Sequence, residues 1–251
     1  MTMLFIGGTG GSGTRIVSTF CAKAGYYIGN NLNKSLDAMH VEPFYRKYTR
    51  GYLEGSADEE EMKKALISGM NLHMKDNTNP MRAIKNPRSL LMLPVLHSVY
   101  PDMKFIHIIR GGVSMSFSGN RRHVRKYGDL FVRGSKIDGS KWSPELAMKV
   151  WAESNMDAFN YGTTKLKNNY LLLRYEHICS KKLPVYKELV KFIGCSEELI
   201  PAMMRKTTIP DTWKRGRKTQ SKKLVRSLEE IGVNAMNNFG YNLVYPKGKN
   251  K

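Results

Sequence analysis

A glycine-rich stretch near the N-terminus constrains this chain more than any other feature of its sequence. Residues 3–7 form a short apolar run that predicts a buried strand, and residues 16–24 predict a helix that Gly25 ends. Between them lies Gly7-Gly-Thr-Gly-Gly-Ser-Gly-Thr-Arg15. Glycines let the backbone approach a phosphate, and the free N–H groups of a first helical turn point at it. The stretch therefore predicts a phosphate or nucleotide site.

The loop offers both backbone amides and side chains to a phosphate, with one fixed positive charge. Its candidate nucleotide-binding residues are Gly10, Gly11, Ser12, Gly13, Thr14 and Arg15. Known nucleotide motifs overlap here. Gly8-x-Gly10-x-x-Gly13 fits the dinucleotide pattern, and residues 8–14 approach a P-loop but lack the lysine that should follow Gly13. The loop alone does not decide between these motifs.

Length and composition exclude several classes of protein. At 251 residues the chain can bury one substantial core, and we interpret residues 1–251 as a single domain. No apolar run approaches the roughly twenty residues that cross a membrane, and the first strand begins too early for a signal peptide. Three cysteines at unrelated spacings indicate neither disulfides nor a metal site, so we expect a reducing, cytoplasmic location. The net charge of +20 favours an anionic partner.

Strands and helices alternate along the rest of the chain. Apolar runs predict a short strand at residues 26–29, a strand ending at a proline at 82–85, and interior strands at 104–110 and 170–176. Helices are predicted between them, and the clearest begins at Ser143 with Pro144 in the first turn. The alternation is typical of an α/β fold with a central parallel sheet flanked by helices.

A second anion site is predicted where the strand at residues 104–110 ends. Arg110 closes this strand, and Ser118 follows eight residues later in a predicted helix. Ligands bind outside the carboxyl ends of strands in open α/β sheets, so both side chains can reach one anion beside the glycine loop. A sheet-edge arginine and a helical serine with no ligand would explain the pair equally well.

These motifs, taken in order, resemble those of the PAPS-dependent sulfotransferases, which have a P-loop-like fold. Residues 11–15 are similar to the loop that holds the 5′-phosphosulfate of 3′-phosphoadenosine 5′-phosphosulfate (PAPS). Arg110 with Ser118 is similar to the pair that binds the 3′-phosphate. Lys85-Asn-Pro87 resembles the Lys-x-Pro of glycan-type members. Leu173-Arg-Tyr-Glu176 resembles a Tyr-Glu-Asp segment of the family, and Phe192-Ile-Gly194 resembles its Phe-Leu-Gly. The resemblance covers about residues 3–194, with a weaker match at Thr208 to Lys214.

The resemblance implies transfer of a sulfuryl group from PAPS to a hydroxyl or amine, with 3′-phosphoadenosine 5′-phosphate (PAP) as product. The loop residues, Arg110, Ser118 and Tyr175 would bind the donor. Such chemistry depends on positioning and charge neutralisation, as phosphoryl transfer does. The loop cation of the family is replaced by Gly11, so Arg15 or Lys85 would offset charge on the leaving oxygen. We favour Lys85, because a lysine just before a strand-ending proline would point into the cleft.

The sequence does not identify the base that takes the acceptor's proton, nor the acceptor itself. The candidate bases are Asp37, His40, Glu42 and His73, although such residues in polar loops are commonly solvated. We expect the acceptor to bind at residues 30–56 and 127–142. The basic charge would suit an acidic glycan as acceptor.

Two other functions remain open. Tyr161-x-x-x-Lys165 matches the active-site pair of NADP-dependent short-chain oxidoreductases, but no acidic residue ends the strand at 26–29 to hold a ribose. The basic segments at 121–126 and 214–226 would suit a non-enzymatic protein that binds polyanions or nucleic acid. Aromatic side chains that stack bases are sparse there, so nucleic acid is the less favoured partner.

Overall fold

The computed structural model describes residues 3–75, 77–207 and 220–243, and its centre is a parallel sheet. The strands are β1 (Met3–Gly7), β2 (Arg82–Lys85), β3 (Lys104–Ile109) and β4 (Tyr170–Arg174), arranged in the order β2-β1-β3-β4. Phe5 of β1 lies between Ile84 of β2 and Phe105 of β3 in the sheet register. All the ladders are parallel, so the carboxyl ends of the strands meet at one edge. The predicted α/β class is confirmed.

Helices follow each strand and cover both faces of the sheet. The π-helical turn Gly162–Leu166 continues the longest of them, and the 3₁₀ turn Pro87–Leu90 follows β2. No helix in the three described ranges is long and apolar enough to cross a membrane. The helices are α1 (Thr14–Lys23), α2 (Glu42–Glu54), α3 (Glu59–His73), α4 (Leu93–Val99), α5 (Gly112–Ser116), α6 (Arg122–Tyr127), α7 (Pro144–Tyr161), α8 (Tyr175–Cys179), α9 (Leu183–Ile193), α10 (Ile200–Arg205) and α11 (Lys222–Asn238).

The two central strands are buried on both faces, which explains their continuous apolar sequences. Successive side chains of a strand point to opposite faces. Phe5 therefore packs with α2, α3 and α4 on one face, while Leu4 and Ile6 pack with α1 and α9 on the other. A third cluster, between α5, α7 and α11, contains Trp151. This cluster includes Ile109, the last residue of β3, and so lies next to Arg110.

Two of the strand predictions are wrong. Residues 26–29 make only one parallel bridge, from Tyr27 to Arg82, because Gly25 and Gly29 adopt positive φ angles of 89° and 110° and bend the backbone on both sides. Among the described strands β4 lies at the edge of the sheet, and not in its interior as predicted. Its apolar sequence reflects helices on both of its faces, which an edge strand can have as well as a central one.

Helix boundaries place several site residues. The Ser143 hydroxyl accepts a hydrogen bond from the Leu146 N–H (3.0 Å), so α7 begins at the predicted cap. α5 ends at Ser116, so Ser118 lies in the turn after the helix and not within it as predicted. The weak motif match at Thr208 to Lys214 lies outside the described residues.

Candidate active site

The glycine-rich loop joins β1 to α1 at the carboxyl edge of the sheet. Gly11 and Gly13 have φ angles of +99° and +100°, in the left-handed region that favours glycine. The Ser12 N–H donates to the Thr9 carbonyl (2.9 Å) and folds the loop, and Gly13 caps α1. In the described part of the chain the N–H groups of Gly10, Gly11 and Gly13 have no acceptor. Free amides at a helix start are what a phosphate cradle requires.

Side chains from two other strand ends lie directly against this loop. A Cβ atom at Gly13 would lie 2.2 Å from the ring of Tyr175, the first residue after β4. A Cβ atom at Gly11 would lie 2.9 Å from the Ser118 hydroxyl, which follows β3 and α5. The structure thus brings the predicted residues Ser118 and Tyr175 to the predicted loop, and only glycine permits the approach.

Three loop side chains differ in what they offer a ligand. Ser12 is fully buried, and its hydroxyl has no hydrogen-bond partner. A buried unsatisfied hydroxyl costs free energy, which a bound oxyanion would offset. Thr14 is buried as the first residue of α1, whereas Arg15 is exposed beside it. The Arg15 charge is near enough to Lys85 to lower that lysine's pKa, so the two predicted cations share one region.

Arg110 lies at the predicted second anion site. It is 8% exposed, directly after β3, and its Nη2 donates to the Ser114 hydroxyl (3.0 Å). Its guanidinium lies 5.5 Å from the centre of the Tyr175 ring, a cation–π distance. Arg110 therefore adjoins the glycine loop through Tyr175, and Ser118 adjoins it through Gly11.

Contacts around the peptide bond after Arg110 fix this arginine's backbone. The Trp151 indole N–H donates to the Arg110 carbonyl (2.9 Å), and the Gly111 N–H donates to the Glu176 carboxylate (2.8 Å). The other oxygen of Glu176 accepts from the Tyr241 hydroxyl (2.9 Å). The motif around residues 173–176 indicated Glu176, but no sequence signal indicated Trp151.

Lys85 and Asp37, predicted as a cation and a base, form one ion pair. The Lys85 ammonium donates to the Asp37 carboxylate (2.5 Å) and to the Ser35 carbonyl (2.7 Å) and is almost fully buried. Burial lowers the pKa of Lys85, and Asp37 opposes that effect. The other Asp37 oxygen accepts from the Asn33 amide (2.8 Å). Neither charge is free, in contrast to the independent roles that the sequence suggested.

The other predicted bases lie in structural contacts. The Glu42 carboxylate pairs with the buried Arg88 guanidinium at 2.7 Å. His73 is fully buried, and its Nε2 lies 3.1 Å from the Ile28 carbonyl. The His40 ring packs against the His73 ring, 6.1 Å between centres. No hydrogen bond between described residues joins His40 or His73 to the glycine loop, to Lys85 or to Arg110.

His123 is a candidate site residue that the sequence did not reveal. It lies on α6, is 8% exposed and lines a small pocket of about 20 Å³ with Thr9, Gly10 and Asn120. Among the described residues its ring packs on Tyr127, and no hydrogen bond is found for it. Burial lowers its pKa to about 3, and the charges of Arg88 and Arg122 act in the same direction, opposed by Asp37.

A parallel sheet whose first strand ends in a free glycine loop, with a buried arginine at the end of the adjacent strand, is an arrangement common among phosphate-binding α/β proteins. The model of a sulfotransferase family matches residues 4–198, well over half of the chain. The chain therefore belongs to the sulfotransferase family, as its motifs predicted.

Solved sulfotransferase structures share this fold at low sequence identity. The sulfotransferase domain of the Synechococcus PCC 7002 olefin synthase has a TM-score of 0.59 and 14% identity, over 96% of this chain and 95% of that one. The sulfotransferase domain from the curacin biosynthetic pathway has a TM-score of 0.56 and 14% identity, over 96% of this chain and 98% of that one. A sulfotransferase from Alicyclobacillus acidocaldarius has a TM-score of 0.55 and 15% identity, over 94% of this chain and 93% of that one. These neighbours confirm the predicted P-loop-like architecture. A search of curated proteins gave no match.

We predict that Gly13→Ala damages the site far more than the same change at Gly134. Both glycines have positive φ, +100° and +76°, so each alanine meets a backbone cost of about 1–2 kcal/mol. Only at Gly13 does the new methyl group also collide with an aromatic ring, whereas nothing lies within 4 Å at Gly134. Urea unfolding should show a loss at least about 1 kcal/mol larger for Gly13→Ala, with weakened nucleotide binding. Equal losses would mean that Tyr175 does not pack on the loop.

Proposed function

We propose that this sulfotransferase takes its sulfuryl group from PAPS, transfers it to a hydroxyl or amine of an acceptor, and releases PAP. One observation carries the proposal: two anion-binding features share one wall. The first is the glycine loop with its free amides and the unpartnered Ser12 hydroxyl. The second is Arg110 with Ser118. Arg110 faces the Tyr175 ring that packs on Gly13, and the Ser118 hydroxyl lies against Gly11. A nucleotide with both a 5′-phosphate and a 3′-phosphate would offer one anion to each feature.

The residues present fit such a nucleotide. The free amides of Gly10, Gly11 and Gly13, with the side chains of Ser12, Thr14 and Arg15, would hold the 5′-phosphosulfate. Arg110 with Ser118 would hold the 3′-phosphate. Tyr175 would support both, because its ring packs on Gly13 and faces Arg110. The bound donor supplies an activated sulfuryl group. In such a transfer the bridging S–O bond breaks with its electron pair on PAP, a new bond to sulfur forms at the acceptor, and the acceptor's proton passes to a base.

Four groups are proposed to act during transfer, two cations and two proton acceptors. Lys85 and Arg15 are the proposed cations, and the Lys85 ammonium is already oriented by Asp37. His123 and Asp37 are the groups placed to take the proton. A neutral imidazole with no hydrogen bond can accept one, and the nearby Asp37 carboxylate would stabilise the imidazolium. His40 is less favoured, because it packs against His73.

The oxidoreductase alternative has little support. The Tyr161 hydroxyl lies 2.9 Å from the His97 ring nitrogen, and Lys165 is exposed in the π-helical turn beyond α7. Neither residue lines the small pocket beside the glycine loop. The single-domain interpretation of residues 1–251 and the cytoplasmic location stay predictions.

The central test is nucleotide selectivity, measured by calorimetry with PAP and 5′-AMP. Wild type should bind PAP more tightly than 5′-AMP. Arg110→Ala should weaken the binding of PAP by about 2 kcal/mol or more and leave the binding of 5′-AMP nearly unchanged. Arg15→Ala should weaken both ligands, because both place a 5′-phosphate on the loop. Equal wild-type affinity for the two nucleotides would refute a 3′-phosphate site. Parallel losses of both ligands in both variants would instead indicate a general basic surface.

Lys85→Met should lower kcat by on the order of a hundredfold with little change in PAP affinity, because its interaction strengthens as charge builds on the leaving oxygen. Asp37→Asn is the matched variant: it leaves the ammonium in place but removes its carboxylate partner. Single-turnover rates with PAPS, paired with PAP calorimetry, separate the two effects. Normal turnover in Lys85→Met would assign the role to Arg15.

His123→Gln should lower kcat by about a hundredfold or more and leave PAP affinity unchanged, because it removes a proton acceptor and not a donor ligand. The wild-type kcat/KM should show no decline near pH 6.5, since burial, together with the charges of Arg88 and Arg122, lowers the free-enzyme pKa of His123 to about 3. A decline centred near pH 6.5 that persists in the variant would exclude His123 as the base and favour another group.

A further inference from the structure

Four of the six residues that line a cavity beside the candidate active site are positively charged. It has a volume of about 510 Å³, and its wall is formed by Gly119, Asn120, Arg121, Arg122, Arg125 and Lys126. We call it the cationic cavity. It begins one residue after Ser118, so the chain passes directly from the predicted donor site into its wall.

The cationic cavity adjoins the glycine loop through one residue. The Asn120 side chain lies about 3.0 Å from where a Cβ atom of Gly10 would be. Asn120 also lines the small pocket that contains Thr9, Gly10 and His123. One face of Asn120 therefore belongs to the cationic cavity, and another belongs to the pocket beside the loop. A molecule held in the cationic cavity would lie next to that pocket.

The charges of the cationic cavity have no carboxylate partners in the described part of the chain. Elsewhere basic side chains pair with acids: Arg50 with Glu54 and Asp129, and Lys149 with Glu153. Arg121 instead lies against the face of Trp142, 3.4 Å from the ring centre, and Arg122, Arg125 and Lys126 make no ion pair with any described residue. Four like charges around one concavity repel each other and attract an anion.

The chemistry of this wall favours a saccharide over a nucleic acid. Single-stranded nucleic acid needs free aromatic faces on which bases stack. The Trp142 face is covered by Arg121, and Tyr127 is buried at 3% exposure. Arginine forks on α6 suit carboxylate and sulfate groups, which they bind with two hydrogen bonds.

We propose that the cationic cavity binds the acidic groups of a saccharide acceptor, uronic acid carboxylates or sulfates already present, and so presents the neighbouring hydroxyl beside the glycine loop. This proposal rests on the proposed sulfotransfer from PAPS. It places the acceptor at residues 119–126, just before the predicted segment 127–142.

The test measures binding by calorimetry on the full chain saturated with PAP. The probes are a tetrasaccharide of alternating glucuronic acid and N-acetylglucosamine, and a neutral N-acetylglucosamine tetrasaccharide. The double variant Arg122→Gln/Arg125→Gln removes two charges from the cationic cavity. Arg205→Gln/Arg226→Gln is its matched control, because it removes two exposed arginines that do not line this cavity.

Wild type should bind the acidic tetrasaccharide at least tenfold more tightly than the neutral one. The cavity variant should lose tenfold or more in affinity for the acidic probe, and the control less than threefold. Saccharide binding should also change Trp142 fluorescence, a signal that Trp142→Phe abolishes. Equal losses in both double variants would overturn the proposal in favour of diffuse charge.

Two further outcomes would also overturn it. One is tighter binding of a thymidine trinucleotide than of the acidic tetrasaccharide, dependent on Arg122 and Arg125. The other is failure of the acidic probe to bind while PAP binds normally. Saccharide binding that depends on these arginines in a protein that does not bind PAP would support the cationic cavity and refute the donor proposal, so the two failures are distinguishable.

Discussion

The candidate site depends on one steric constraint, the close approach of two other strand ends to the backbone of residues 10–13. The Tyr175 ring presses on Gly13 from the end of β4, and the Ser118 hydroxyl lies against Gly11 from beyond β3. The same Tyr175 ring faces Arg110, whose carbonyl is held by Trp151. The loop and Arg110 therefore cannot shift independently. A ligand that bridges them meets a preorganised surface, which lowers the entropic cost of binding.

The features that the sequence predicted correctly are those formed by residues close together in the chain. β1, the loop and α1 are contiguous, so glycine spacing and an apolar run sufficed, and Arg110 was found because it directly follows the strongest strand. The Lys85–Asp37 ion pair was not found, because its partners lie 48 residues apart and meet only through the tertiary fold. Each was identified alone, as a cation and as a base. In the structure the two charges form one ion pair.

Two errors have a common physical cause: a residue pattern reports burial, not the neighbours that produce it. β4 reads as interior because Leu171 and Leu173 pack on one face and Leu172 on the other, although no described strand pairs with its outer edge. The basic sequence of residues 121–126 gave no prediction of a buried site residue. Yet His123 and Tyr127, four residues apart, lie on the buried side of α6 while charged neighbours remain exposed. One buried stripe in a polar helix is easily missed.

The distribution of positive charge carries more functional information than the net charge of +20. The buried Arg88 is neutralised by Glu42, as a structural arginine should be. Arg110 is also buried, yet among the described residues it has only the Ser114 hydroxyl and the Tyr175 ring to replace lost water. Desolvating a guanidinium without a carboxylate is unfavourable. A second anion supplied by a ligand removes that penalty, so the unpaired arginine itself favours the liganded state.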